Sequence, residues 1–136
     1  MFEILEHTAD IGFRASGRTP AELFEQAAEA LVSIALELDD ISPASEYSLK
    51  ATGSDYESLL VNWLSEVLYS IDGERLALRS FHVADLTPTR ASGVARGEPR
   101  DPARHRAKLI VKGVTYHQLQ VRQTAEGWCA EVYLDI

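Results

Sequence analysis

Two carboxylates stand at points where the residue pattern makes a structural junction. Asp10 falls between MFEILEH and IGFRASG, two short strand-like stretches parted by Thr8 and Ala9. Asp135 is the penultimate residue of EVYLDI, in which Val132, Leu134 and Ile136 alternate with Glu131, Tyr133 and Asp135 as a strand does up to its last residue. A hard cation such as Ca²⁺ or Mg²⁺ takes several oxygen ligands, carboxylates together with carbonyls and water. Asp135 and the α-carboxylate of Ile136 would place two anionic groups one residue apart. Taken alone, a capped turn at Asp10 and an exposed terminus at Asp135 is the plainer account.

Other chemistry finds less support. His7, His82, His105 and His117 are scattered, without the paired spacing of a zinc site. Cys129 lies between Trp128 and Ala130 on a strand that reads as buried, where a thiol is inert filler rather than a nucleophile. A single cysteine forms no internal disulfide and suits a reducing compartment. No GxGxxG, no GxxxxGK[ST] and no serine-hydrolase elbow occurs.

Charge narrows the partners. The net charge of −8 argues against a broad nucleic-acid-binding face, which needs clustered Lys and Arg. From Arg90 to Lys112, however, seven basic residues (Arg90, Arg96, Arg100, Arg104, Arg106, Lys108, Lys112) face Glu98 and Asp101, a local balance of +5 that leaves −13 on the rest. A solvated loop and edge strand explains this slightly better than an anion or RNA contact.

The elements that must position these residues follow from periodicity. At 136 residues and 46% hydrophobic content the chain fits one domain, residues 1–136, with a real core. It carries no apolar run of spanning length and no signal-type start, so a soluble cytoplasmic protein without membrane contact is expected. In TPAE, Thr19 caps a helix, Pro20 takes its first position and Glu22 completes a reciprocal cap; Leu23, Ala27, Leu31 and Ile34 then share one face. A strand follows near Glu46 to Thr52. SDYE starts a second helix, with Ser54 as cap and Glu57 three residues on, and Leu60, Trp63, Leu64, Val67, Leu68 and Ile71 form its stripe before Gly73. LALRSFHVADL, TRASGVARGE, KLIVKGVTYHQLQVR and GWCAEVYLDI read as strands, and EPRDPARHR as a loop. The expected class is α/β (α+β): one compact domain of two amphipathic helices packed on a mixed, largely antiparallel sheet.

Several stretches together carry a resemblance: HTADIGF, EALVSIA, SDYESLLVNWLSEVLY, the GE of ARGEPRDPARHR, VKGVTYHQL and the terminal GWCAEVYLDI. Nearly end to end, the chain resembles the archease family. Gly113 departs from it, standing where alanine is more usual. The resemblance implies a non-enzymatic accessory protein of the tRNA-splicing RNA ligase, which joins a 3′-phosphate or 2′,3′-cyclic-phosphate end to a 5′-hydroxyl end using GTP and metal. Such a protein promotes guanylylation of the ligase histidine and multiple turnover. By the same resemblance Asp10, Asp135 and Ile136 hold a divalent metal ion, Ca²⁺ foremost with Mg²⁺ or Mn²⁺ as alternatives, and Lys112 is the functional lysine that activates the partner; no residue is catalytic. GTP and RNA are reached through the ligase, with weak or no RNA binding by the protein alone.

This assignment is physically coherent. A bound cation with a nearby Lys suits developing phosphate charge, and an acidic body speeds encounter with a basic ligase. His7, beside the turn, would orient the site by donating to a ligand; a buried structural histidine explains it equally. Two other classes compete. A metal-dependent phosphodiesterase or nucleotide hydrolase would need more carboxylates and a positioned base, and a chaperone-like binding module would need no metal.

Overall fold

The computed structural model describes residues 1–6 and 10–136. Among the described residues, seven strands and two α-helices follow in the order β1 (Phe2–Glu6), β2 (Asp10–Gly17), α1 (Pro20–Ala35), β3 (Ser45–Thr52), α2 (Tyr56–Asp72), β4 (Leu76–Thr87), β5 (Arg90–Pro99), β6 (Gly113–Thr124) and β7 (Gly127–Asp135). The expected class holds, with the strands divided between two sheets. One has the order β1-β2-β7-β6 and the other β3-β5-β4. Each ladder is antiparallel. Short turns join β4 to β5 and β6 to β7, a connection that antiparallel strands alone permit.

Local chemistry sets the helix ends. At α1, Thr19 Oγ1 accepts from the Glu22 backbone at 3.2 Å, the one half of the expected reciprocal cap that forms. At α2 the cap is Asp55 rather than Ser54. Asp55 Oδ1 accepts from Ser58 N at 2.8 Å while Ser58 Oγ accepts from Asp55 N at 3.2 Å. A carboxylate also complements the positive end of the helix better than a hydroxyl does. Gly73 ends α2 with right-handed φ of −84°, and the left-handed turn falls to Arg75 at φ 60°.

Both expected stripes are buried, and α1 is buried further round, at Phe24, Ala28, Ala30 and Val32. It packs against β2, β4 and α2 together, so a wider face must be apolar. The fully buried Trp63 of α2 donates its indole N–H to Phe24 O of α1 at 3.2 Å. This satisfies the polar atom and locks the two helices together. The core faces of β2 (Ile11, Phe13, Ala15) and β7 (Ala130, Val132, Leu134) close beneath them.

KLIVKGVTYHQLQVR is only partly strand. β6 begins at Gly113, and residues 108–112 run irregularly because their partner is the end of α1: Ala107 bridges Leu36 and Lys108 N donates to Ala35 O at 2.9 Å. Gly113 has no atom within 4 Å of where a Cβ would stand, and its φ is not left-handed. Gly113→Ala should therefore stabilise the fold by about 0.4–1 kcal/mol, through the unfolded chain. A higher urea midpoint at unchanged slope is the expected measurement.

A candidate metal and partner-docking site at one end of the four-stranded sheet

The register of β2, β7 and β6 assembles the site. Asp10 and Asp135 are direct partners across the β2–β7 ladder, and Gly113 is the partner of Asp135 on its other side. Directly opposed residues of an antiparallel pair project to the same face. That face is the outer one, since Ile11, Phe13, Val132 and Leu134 turn to the core. Lys112 immediately precedes β6, and its backbone N–H donates to Asp135 O at 2.7 Å. Asp10, Asp135, Lys112 and Ile136 thus meet at one sheet end, although Asp10 and Asp135 stand far apart in sequence. Asp10 is half-buried, while Asp135, Lys112 and Ile136 are exposed.

Tyr133 is the next outward residue of β7 before Asp135. A Cβ at Gly12 would lie 2.6 Å from Tyr133 Cδ1 and Cε1, so the ring lies across β2 where only glycine leaves room. Tyr133 is 4% exposed, although it belongs to the outer face by alternation. Its hydroxyl donates to Glu131 Oε1 at 3.3 Å. Burial first, then the Glu131 carboxylate, with a contribution from Asp10, raise its pKa above the ordinary tyrosine value. Arg14 meanwhile pairs with Glu3 at 3.4 Å and Glu131 at 3.6 Å.

Among the described residues, neither Asp10 nor Asp135 enters an ion pair with Lys, Arg or His, and the Lys112 ammonium has no carboxylate within ion-pair distance. Like charges directly opposed across a ladder are destabilising. Two uncompensated carboxylates in that position fit a divalent cation, which wants anionic oxygens and would relieve their repulsion. Among the described residues no three His, Cys, Asp or Glu side chains converge as a metal site. To hold a cation the carboxylate pair would need a further donor, the role that the family resemblance implies for the α-carboxylate of Ile136. His7 lies outside the described residues.

The remaining sequence candidates stand elsewhere. His82 and His117 are exposed, and His82 Nδ1 lies 3.7 Å from Glu25. Cys129 is half-buried at the far end of β7, where it lines a cavity of about 550 Å³ with Ser16, Gly17, Arg18 and Trp128. Three of the seven basic residues between Arg90 and Lys112 are paired with carboxylates. Arg96 pairs with Glu46, Arg104 with Glu98 and Asp101, and Lys108 with Glu37.

Sequence reasoning missed a network around the buried His105 in that segment. Glu98 accepts from Ser42 N at 2.8 Å, from Arg104 at 2.6 Å and from His105 Nε2 at 2.8 Å. The Ser42 amide foremost, then Arg104, with His105 adding, lower the Glu98 pKa from 4.5 to about 2, and the same carboxylate raises that of Arg104. A carboxyl depressed on folding contributes stability that is complete above its unfolded value and is lost as pH falls through its folded value. The difference in urea midpoint between wild type and Glu98→Gln should stay constant above about pH 4.5 and narrow as pH approaches 2. The GE and RH dipeptides hinted at it, but spacing alone could not bury His105.

Comparison with known proteins bears on the whole chain. Residues 2–136 match the model of the Archease protein family. Protein archease of Methanosarcina mazei is 39% identical over 139 residues, covering 99% of this chain and 95% of its own. Protein archease of Methanopyrus kandleri is 38% identical over 138 residues, covering 99% of each. The solution structure of protein 1598 of Methanobacterium thermoautotrophicum is similar at a TM-score of 0.86 and 33% identity, with 99% and 98% of the two chains covered. The crystal structure of an archease from Thermotoga maritima, described as a possible chaperone, has a TM-score of 0.68 at 20% identity with 97% and 94% covered, a likeness of fold. Among the described residues no helix is long and apolar enough to cross a membrane.

Proposed function

The chain belongs to the archease family, and on that premise we propose that it activates the tRNA-splicing RNA ligase by promoting guanylylation of the ligase and its repeated turnover. The observation that carries this reading is the meeting of Asp10, Asp135 and Lys112 at one exposed end of the sheet. Asp10, Asp135 and the Ile136 carboxylate would hold a divalent cation, Ca²⁺ foremost with Mg²⁺ or Mn²⁺ as alternatives. When bound, that ion supplies positive charge beside phosphate oxygens. Lys112 contributes three donors on a flexible stem, suited to a phosphate or a carboxylate of the ligase. Ile136, 41% exposed, and Ile110, 76% exposed, add apolar contact on either side of the lysine in sequence. The acidic body favours rapid encounter with a basic, RNA-binding partner more than it favours affinity.

On this reading the protein works by touching the ligase and turns over no substrate of its own. Ligase and GTP would be mixed without RNA, in a cytosol-like reducing buffer, and the covalent guanylylated ligase measured with and without this protein. Faster or more complete guanylylation is expected. Stimulation that requires RNA, together with tight RNA binding by the protein alone, would replace the proposal with RNA presentation. A metal-free chaperone role has the description of the Thermotoga maritima relative in its favour, and it predicts equal stimulation with and without chelated metal.

A further inference from the structure

Between β5 and β6 the chain crosses the end of α1 as a strap, residues 100–112, and its start is pinned by a histidine that is 1% exposed. His105 Nδ1 accepts the Asp101 backbone N–H at 2.8 Å. A backbone amide only donates, so the ring proton sits on Nε2. Nε2–H donates to Glu98 Oε2 at 2.8 Å, and the same oxygen accepts from Ser42 N at 2.8 Å. The other oxygen accepts from Arg104 Nη2 at 2.6 Å. A single β5 carboxylate thereby joins the strap to the segment that follows α1. The backbones of Arg104 and His105 close the turn by donating to Asp101 O at 3.0 and 2.7 Å.

Farther along, the strap is held at intervals. Ala107 bridges Leu36, Lys108 donates from its backbone to Ala35 O and from Nζ to Ser33 O at 2.8 Å, and Val111 is buried. The last bond is from Lys112 N to Asp135 O. The strap therefore begins at the Glu98–His105 pair and ends at the lysine of the candidate site. An exposed lysine samples many rotamers, and its ammonium reaches a fixed phosphate reproducibly only if its backbone is fixed. A displacement of about 1 Å can cost on the order of a hundredfold in rate.

We infer that the Glu98–His105 latch positions Lys112 for ligase activation, with His105 as a positioning residue remote from the contact itself. The inference rests on the role given to Lys112 in the proposed function. Its test uses His105→Ala, His105→Gln and Lys112→Ala in the full chain. Amide exchange over residues 107–112 is measured without ligase; cation affinity is measured by calorimetry; guanylylation is followed against protein concentration. For His105→Ala, exchange across 107–112 should accelerate roughly tenfold or more as the strap opens locally. Cation affinity should stay near wild type, since Asp10 and Asp135 are carried by the β2–β7 ladder. The stimulated plateau should fall toward that of Lys112→Ala, by up to about a hundredfold, and His105→Gln, whose amide can donate to Glu98, should recover most of it.

Loss of folded protein would act differently. It would raise the concentration needed for half-maximal stimulation and leave the plateau in place. That result, or unchanged exchange over 107–112, overturns the latch in favour of plain stability. An inactive Lys112→Ala beside a fully active His105→Ala sinks the latch alone, whereas a fully active Lys112→Ala removes the lysine from the proposed function and the latch with it.

Discussion

Asp10→Asn and Asp135→Asn will each abolish metal-dependent stimulation of the ligase, yet each will make the protein more stable in chelator. The two effects have one cause. Without a cation the carboxylates face each other across the β2–β7 ladder, and removing one charge relieves about 0.2–1 kcal/mol of repulsion. In a domain of this size that is a rise in Tm of roughly 1–4 °C. With a divalent cation the order reverses. Binding to the folded state alone stabilises wild type by about 2.7 kcal/mol at a hundred times Kd, and the variants, short of a ligand, should gain little. Melting curves in chelator and in Ca²⁺, beside the guanylylation assay, check both halves. Wild type and variants that shift equally with cation would take these residues out of metal binding. A short extension after Ile136 should mimic the loss of activity without the gain in chelator, since it moves a carboxylate and leaves the opposed pair intact.

Sequence periodicity made much of this architecture legible because it records burial. The stripes of α1 and α2 each describe one face toward a core and were found, whereas the alternation in EVYLDI held at Val132 and Leu134 but not at Ile136, which lies past the end of β7 and is 41% exposed. What periodicity does not record is which elements become neighbours. Residues 108–112 carry a strand-like apolar pattern, yet Ala107 and Lys108 are tied to the end of α1 and the stretch stays irregular until Lys112 reaches β7. Tyr133 falls on the outer face by alternation and is nonetheless buried, because Gly12 on a strand distant in sequence leaves room for its ring. His105 carried no sign of burial, since its network with Glu98, Ser42 and Arg104 depends on where β5 ends relative to α1. The candidate site was legible in its members and not in its geometry. Asp10 and Asp135 stood out by their places in the residue pattern, their joint role and Lys112 came from the family resemblance, and only the strand order β2-β7-β6 brings the three to one sheet end.

Lys112 separates holding a cation from using it. An ammonium has no lone pair to offer a metal, so Lys112→Ala should leave calorimetric affinity for Ca²⁺ or Mg²⁺ within about twofold of wild type, a change of no more than about 0.4 kcal/mol. A modest gain in affinity fits as well, because a positive charge near two carboxylates competes with the ion. Ligase stimulation should nevertheless collapse. The exposed side chain has no ion-pair partner within this protein among the described residues, so under the proposed function its energetic worth lies in what it would meet on the ligase, where a charge-assisted hydrogen bond to phosphate or carboxylate contributes about 1.5–3 kcal/mol. That is roughly a ten- to hundredfold fall in guanylylation rate. Lys112→Arg keeps the charge but changes its reach and geometry, and should recover only part of the activity. If Lys112→Ala instead weakens cation binding as far as Asp10→Asn does, the lysine side chain shapes the carboxylate pair rather than reaching outward, since the backbone bond from residue 112 to Asp135 survives in the variant. The Arg variant then discriminates further: full metal affinity with poor stimulation restores the outward role, because the backbone bond is common to all three side chains.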